Sequence, residues 1–192
     1  MIQRLQTIFL INNVVIVSGW SNNKRSVFYV FYVTNTIIIK INQKVSKLYF
    51  VKSGLLRTYF LSDGKEINTY FACNGQFITS FSSYITQTPS IQYLEALESS
   101  TLYSITFEQL NNLYESYPKF EKFGKILAEQ NYLCVLERMI YLQSKSAKEK
   151  YLYFIEKYEK KIVQRVPQLH IASYLGITPE TLSRVRKEIS IS

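Results

Sequence analysis

The stretch that most constrains this chain is 168–187, QLHIASYLGITPETLSRVRK, near its C-terminal end. It predicts two short helices joined by a tight turn, because Ala172 is small enough for helices to cross there and Gly176 lets the chain reverse. Apolar residues recur at the spacing that buries one shared face: Ile171, Leu175, Ile177, Leu182 and Val185. The pattern is that of a helix-turn-helix.

The second helix of this motif has a well-marked start and a polar outer face. Thr178 can cap it by accepting a backbone hydrogen bond, and Pro179 takes the first helical position, where its missing N–H costs nothing. The outward positions carry donors, acceptors and cations that suit base edges and phosphates. The residues predicted to bind DNA are Gln168, His170, Thr178, Glu180, Thr181, Ser183, Arg184 and Lys187.

An ordinary amphipathic helical hairpin with a glycine turn is the alternative to a DNA-binding motif. The charge distribution favours DNA, since residues 138–192 carry eleven Lys and Arg against five Glu, while residues 46–137 carry seven against nine acids. The net charge over all 192 residues is +9. A basic region beside a near-neutral one is typical of a phosphate-binding domain attached to a sensor or scaffold.

Strand and turn signals dominate the region from Thr36 to about residue 105. Runs of β-branched and aromatic residues are separated by turn dipeptides such as Asp63-Gly64 and Asn74-Gly75. The predicted strands are 37–40, 48–52, 55–61, 67–73, 91–97 and 101–105. Short strands at this spacing indicate an antiparallel sandwich or barrel. The apolar clusters 14–17 and 27–33 are further candidate strands, with few turn signals around them.

Helices are predicted from Thr106 onward. A capping box at 106–109 begins a helix that ends before Tyr117, a long helix runs from Pro118 to about Ser144, and a second capping box at 146–149 begins a helix through Tyr158. The predicted domains are a β domain at 1–115, uncertain over 1–33, then a connecting helix at 116–145 and a helix-turn-helix domain at 146–192.

The long helix has an apolar repeat of its own. Ile126, Leu133 and Ile140 recur every seven residues, as a seam against a second copy of the helix requires. The alternative is that this stripe packs only on its own β domain. We expect a dimer seam at these three positions.

The reactive side chains argue against an enzyme. The single histidine, His170, and the single aspartate, Asp63, lie in different predicted elements, so a catalytic arrangement would have to draw them together. Cys73 and Cys134 have no partner motif and are expected to be reduced thiols in a cytoplasmic protein. No run of eighteen apolar residues occurs, so neither a membrane span nor a signal peptide is expected. No metal and no cofactor is predicted.

Together these elements resemble the Crp/Fnr family of bacterial transcription regulators, and more narrowly the nucleotide-independent type common in Bacteroidetes. The matching stretches are 45–57 (VSKLYFVKSGLLR), 63–66 (DGKE), 77–83 (FITSFSS) and 171–184 (IASYLGITPETLSR). The resemblance covers about residues 34–189. It implies an α+β fold with a cyclic-nucleotide-binding-like antiparallel β-roll, a long dimerisation helix and a C-terminal winged helix-turn-helix domain. Residues 1–33 depart from the family, as a divergent segment or a misread gene start.

The function implied by the resemblance is a homodimeric, sequence-specific DNA-binding regulator with a near-palindromic operator. RNA polymerase and an unknown small-molecule effector are further partners that such a function allows. At the family's base-reading positions the chain has Pro179, Glu180 and Arg184, and Pro179 cannot donate, so the family's usual half-site is not expected. The alternative is a ligand-binding sensor whose helix-turn-helix mainly contacts protein partners.

The family's nucleotide site is degenerate in this sequence. Members that bind cyclic nucleotides use a Gly-Glu pair and an Arg-Ser pair; here Gly75 is retained, Gln76 replaces the glutamate, and the arginine position falls near Ser90. With no cation opposite a cyclic phosphate, neither tight cAMP binding nor tight cGMP binding is expected. Two cysteines cannot supply the roughly four ligands of an iron–sulfur cluster, and the single histidine is misplaced for a haem.

Overall fold

The computed structural model describes residues 29–33 and 36–191, so the candidate strand at 14–17 lies outside the described residues. Within these described residues, eight strands form two four-stranded antiparallel sheets, with strand orders β1-β8-β3-β6 and β2-β7-β4-β5. The strands are β1 Tyr29–Val33, β2 Ile37–Ile39, β3 Lys47–Ser53, β4 Leu55–Ser62, β5 Lys65–Cys73, β6 Phe77–Ile78, β7 Tyr93–Ala96 and β8 Ser100–Thr106. The predicted antiparallel β-roll is confirmed.

Seven helices are found in the described residues. They are α1 Phe81–Thr86, α2 Phe107–Ser116, α3 Pro118–Ser144, α4 Ala147–Lys157, α5 Lys160–Arg165, α6 Gln168–Leu175 and α7 Pro179–Ile191. Both predicted capping boxes are present, at the starts of α2 and α4. The short elements β6, α1 and α5 were not predicted.

Side chains on β4 and β5 alternate between two apolar cores. Leu56 and Ala72 point between the sheets, where they join Val51, Leu94 and Leu102. Their neighbours Leu55 and Phe71 point the other way, into a second core formed with the C-terminal helices. The second sheet is therefore apolar on both faces over these strands, which is why helices cover it.

The second core fastens the helix-turn-helix to the β domain. Phe71 contacts the rings of Phe154 in α4 and Tyr174 in α6, with centroid distances of 6.4 and 5.4 Å. Ile162, Ile171 and Leu182 are fully buried in the same cluster. Burying side chains of this size stabilises the arrangement by about 1.5–3 kcal/mol each.

The C-terminal region is helical throughout its described part. No strand follows Thr106 among residues 107–191, so the wing implied by the resemblance is not found there. The segment between α4 and α6 forms helix α5 instead, since Ile162 and Val166, four residues apart, both point into the second core. Among the described helices none is long and apolar enough to cross a membrane.

Candidate DNA-binding surface and sensor cavity

Helices α6 and α7 form the predicted helix-turn-helix. Gly176 has φ 64° at the end of α6, and the Ile177 N–H donates to the Ala172 carbonyl at 3.1 Å, which closes the turn. Thr178 Oγ1 accepts from the Thr181 N–H at 3.2 Å, so the predicted cap of the second helix is confirmed. The shared apolar face is buried through Ile171, Leu175, Leu182 and Val185.

The other face of α7 is open to solvent. Of the predicted DNA-binding residues, Thr181 is half-buried, and those that are exposed are Gln168, Thr178, Glu180, Ser183, Arg184 and Lys187. Neither Arg184 nor Lys187 forms an ion pair with a described residue. Backbone and Thr178 hydrogen bonds lower the pKa of Glu180, which keeps it an acceptor. This face therefore presents free cations and hydrogen-bonding groups.

His170 does not belong to that face, and its assignment to the DNA-binding set is corrected here. Its side chain is only 15% exposed, with Nδ1 2.9 Å from Arg57 Nη1 and 4.0 Å from Glu66 Oε2. Burial and the nearby Arg57 charge lower the pKa of His170. The cause is the rotation of α6, which turns this residue towards strand β5 rather than outward.

Helix α6 covers the open edge of β5, the last strand in its sheet. Ser173 Oγ accepts from the Asn68 N–H at 3.1 Å and donates to the Glu66 carbonyl at 2.6 Å. The helix therefore satisfies backbone groups that an edge strand otherwise leaves unpaired. Polar contacts as well as the second core hold α6 in place.

Arg57 lies under this contact and is almost fully buried. Its guanidinium pairs with Glu66 Oε2 and Glu95 Oε2, both at 2.6 Å, and stacks on Tyr59 with Cζ 4.1 Å from the ring centroid. It also donates to Asn68 Oδ1 at 3.2 Å. The charge of Arg57 is thus compensated by two carboxylates.

A second set of charges ties α5 to the β domain. Lys161 Nζ donates to the Gly54 carbonyl at 3.0 Å and lies 2.5 Å from Glu98 Oε1, and Arg165 Nη1 lies 3.3 Å from Glu98 Oε2. Burial on its own raises the pKa of Glu98, but the hydrogen bonds and charges of Lys161 and Arg165 outweigh burial and lower it. Glu98 therefore stays ionised and paired.

A cavity of about 450 Å³ lies between the β-roll and helix α3. Predicted nucleotide-site residues Gly75 and Gln76 line it, but Gln76 Oε1 accepts from the Cys73 N–H at 2.8 Å and is already engaged. Ser90 is buried outside the lining, with Oγ 2.8 Å from both Ser80 Oγ and the Gln92 carbonyl. The polar groups at this end of the cavity are therefore paired within the protein.

Arg138 also lines the cavity, a cation that the sequence did not assign to it. The arginine comes from α3, in the segment that the sequence assigned to dimerisation alone. A stripe of polar residues on α3 was the sequence signal that could have predicted this cavity lining. Gln130, Asn131, Cys134 and Arg138 follow one another at helical spacing, and all four line the cavity.

The rest of α3 carries an exposed apolar strip. Leu133 and Ile140 of the predicted dimer seam are exposed, whereas Ile126 is half-buried. Three further exposed residues were not predicted, Tyr132, Val135 and Met139, with Tyr132 66% exposed. They follow a second heptad phase beside the first, and together these exposed residues form a strip wider than the predicted seam.

Known proteins share this architecture. The model of the cyclic nucleotide-binding domain matches residues 29–117. The anaerobic regulatory protein of Haemophilus influenzae is 26% identical over 160 residues, which cover 78% of this chain and 62% of that protein, so the chain spans less than two thirds of this relative.

Solved structures agree on the fold. FixK2 from Bradyrhizobium japonicum aligns with a TM-score of 0.74 at 20% identity, covering 86% of this chain and 85% of that one. A CooA mutant from Carboxydothermus hydrogenoformans aligns at 0.70 and 20%, covering 93% and 83%. Residues 29–117 therefore match a cyclic nucleotide-binding domain, and the chain as a whole is similar in sequence to bacterial regulatory proteins and in fold to these solved structures.

Proposed function

We propose that this protein is a homodimeric, sequence-specific DNA-binding transcription regulator that is not controlled by cAMP. The observation that carries the proposal is the solvent-facing side of α7, where Glu180, Ser183, Arg184 and Lys187 are exposed while the opposite side is buried. A helix anchored on one face and polar on the other can enter a major groove. The relatives are regulators rather than enzymes.

An exposed apolar strip on α3 supports the proposed dimer and, with it, paired recognition of DNA. Tyr132, Leu133, Val135, Met139 and Ile140 leave an apolar strip on this helix exposed, and a second copy of α3 would bury it. Two recognition helices would then read half-sites about 34 Å apart, which calls for a near-palindromic operator. In this proposal the β-roll at 1–115 is the sensor, and residues 146–192 bind DNA.

DNA selected from a random pool by the purified protein supplies the operator for the test. Arg184→Ala should lower specific affinity by about 1–3 kcal/mol and relax preference at one base pair, while Lys187→Ala should weaken specific and random DNA alike and reduce the salt slope by about one. Lys119→Ala, on the first turn of α3, is the control for lost charge. Equal losses on both DNAs for Arg184→Ala would show a phosphate contact only.

The salt dependence of binding to random DNA separates this function from a sensor that contacts protein partners. Neutralised phosphates release counterions, so affinity for random duplex should fall steeply between low and moderate salt. A flat response would favour the protein-contacting alternative.

Oligomeric state tests the dimer separately from DNA binding. Light scattering at micromolar concentration should give twice the mass of one chain, and Leu133→Glu with Ile140→Glu should halve it. A monomeric wild-type protein contradicts this part of the proposal.

Calorimetry tests the absence of cAMP control. Gln76 and Ser90 are already engaged in hydrogen bonds within the protein, so cAMP should give no micromolar binding. Micromolar affinity for cAMP would refute this part alone.

A further inference from the structure

Asn68 of strand β5 is contacted by three other elements through three different groups. Its N–H donates to Ser173 Oγ of α6 at 3.1 Å, and its carbonyl accepts from Arg138 Nη2 of α3 at 2.9 Å. Its Oδ1 accepts from Arg57 Nη1 of β4 at 3.2 Å, and the residue is completely buried. One residue of the β-roll therefore joins the long helix to the first helix of the helix-turn-helix.

Two consecutive residues of α6 are held at this point. Ser173 Oγ also donates to the Glu66 carbonyl at 2.6 Å, so it bonds the backbone of β5 twice. Arg138 Nη2 also donates to the Tyr174 carbonyl at 3.1 Å, and its Cζ lies 4.1 Å from the centroid of the Tyr174 ring. Tyr174 lies in the last turn of α6, where carbonyls need partners from outside the helix and a cation is favourable.

The last turns of α3 contact the other C-terminal helices as well. Glu137 Oε2 accepts from Tyr153 Oη of α4 at 2.7 Å, and the rings of Tyr141 and Tyr153 stack with centroids 3.9 Å apart. Leu142 approaches the turn between α6 and α7 so closely that a Cβ on Gly176 would lie 3.3 Å from Leu142 Cδ2. The end of α3 is thus attached to α4, to α6 and to the turn before the recognition helix.

These contacts fix the recognition helix relative to the helix that carries the exposed apolar strip. Helix α3 ends at Ser144 and α4 begins at Ala147, so only two residues separate them. A DNA-binding region attached through those two residues alone could pivot there, since a few residues between elements suffice for a hinge. With α6 held on β5 and on α3, that pivot is blocked, and two paired copies would present their α7 helices at one separation.

We propose that Asn68, Ser173 and Arg138 are positioning residues that hold α6 against β5 and thereby restrict the operator to one half-site spacing. Each added base pair moves a half-site by about 3.4 Å along the DNA and by about a tenth of a turn around it. A rigid pair of recognition helices therefore discriminates between spacings that differ by one base pair. The effect on operators rests on the proposed function, whereas the rigidity of the contact does not.

Operators with altered spacers test the consequence for DNA. The selected half-site is placed in palindromes whose spacer is shortened or lengthened by one or two base pairs. Wild-type protein should bind these roughly ten-fold more weakly than the best spacing, and Ser173→Ala should reduce that penalty to less than about three-fold. Affinity for a duplex with one half-site should stay within about two-fold. Lost stability alone would weaken single half-sites and full operators alike.

Two matched pairs of variants complete this experiment. Ser82→Ala, exposed on α1, is the control for Ser173→Ala and should keep the full penalty. Arg138→Met should reduce the penalty, while Lys122→Met, an exposed cation on α3, should not. An unchanged penalty in both Ser173→Ala and Arg138→Met, or a wild-type protein that accepts every spacing equally, would overturn the proposal.

A distance measurement tests the rigidity without DNA. Spin labels are placed on α3 and α7 of the full chain through Lys122→Cys and Ser190→Cys, after the native thiols are removed by Cys73→Ala and Cys134→Ala. Dilution with unlabelled protein leaves at most one labelled chain in each dimer. Double electron–electron resonance should give one narrow distance in this parent protein and a broader distribution when Ser173→Ala is added.

The outcomes keep this proposal distinct from the proposed function. A broad distribution in the parent, or an equally narrow one after Ser173→Ala, overturns the positioning role even if the protein binds no DNA. A narrow distribution that Ser173→Ala broadens, in a protein that binds no DNA, refutes the regulator alone.

Discussion

Arg57 and Arg138 both donate hydrogen bonds to Asn68, one to its side chain and one to its backbone, but they differ in how their charges are compensated. Each stacks on a tyrosine at 4.1 Å, each hydrogen-bonds Asn68, and each reaches helix α6, through His170 and through the Tyr174 carbonyl respectively. Arg57 also pairs with two carboxylates, whereas Arg138 pairs with none among the described residues.

The difference separates a guanidinium whose charge is compensated within the protein from one that has no carboxylate partner among the described residues. Around Arg57 the protein supplies two carboxylates, so removing the arginine or either acid leaves a partly buried charge uncompensated. Around Arg138 the described residues supply carbonyl oxygens and a ring only, so its charge is not compensated by a carboxylate there. The comparison predicts unequal consequences when the two arginines are replaced by the same residue.

The largest effect is expected from Arg57→Met. This substitution leaves Glu66 and Glu95 without their cation, beside the buried side-chain amide of Asn68. Because both acids keep some contact with water, we expect the free energy of unfolding to fall by about 3 kcal/mol, the lower end for a broken buried ion pair. Urea unfolding measures it. Lys65→Met, an exposed neighbour on β5, should change stability by less than about 0.5 kcal/mol.

Arg138→Met should lower the free energy of unfolding less, by about 1–2 kcal/mol, because it leaves two carbonyls without their donor but no carboxylate without its cation. The same urea experiment compares it with Arg57→Met under identical conditions. A loss as large as that of Arg57→Met would mean that Arg138 has an anionic partner in the folded protein, which would abolish the contrast between the two sites.

The strands and helices that frame these arginines were predictable because their signals are local. Asp63 and Gly64 adopt positive φ angles of 49° and 74° in the β4–β5 hairpin, as an Asp-Gly turn requires. Capping boxes likewise marked the starts of α2 and α4 to the residue. Such features depend on three or four neighbouring residues, so sequence alone suffices.

The sites were harder, since they depend on how distant elements meet. His170 was assigned to DNA because it lies on the motif, but the rotation of α6 on β5 turns it inward. Arg138 is eighty-one positions from Arg57 (138 − 57). It lines the cavity from helix α3, for which only the apolar repeat had been used as a signal. The polar stripe on α3 is visible in the sequence, but its spacing alone does not show that this stripe, rather than the apolar one, meets the β-roll.

Ser173→Ala tests the link between the two arginine sites. Ser173 bonds the backbone of Glu66, which pairs with Arg57, and of Asn68, which both arginines contact. Losing these two hydrogen bonds should cost about 1 kcal/mol. In the Arg57→Met background the loss should be smaller by more than about 0.5 kcal/mol, since neighbours in one network are not additive. Full additivity would show that Ser173 is not coupled to the Arg57 site.

The smallest effect is expected from pH, and it should distinguish the two arginines qualitatively. Burial and the charge of Arg57 lower the pKa of His170, while the charges of Glu66 and Glu95 raise it by less. The folded chain therefore keeps His170 neutral at a pH where the unfolded chain is protonated at this residue. Stability from this group is complete above the unfolded pKa of about 6.5 and is lost as pH falls through the lower folded pKa.

Glu98 and Glu137 have lowered pKa values and titrate below this window, so they should not obscure the change. Urea unfolding between about pH 7.5 and pH 5.5 should therefore show a loss that His170→Gln removes and that Arg138→Met leaves intact. Arg57→Met should reduce the loss only in part, because burial rather than Arg57 is the larger cause. A loss that disappears in Arg138→Met would place His170 under the influence of the cavity and would merge the two sites into one.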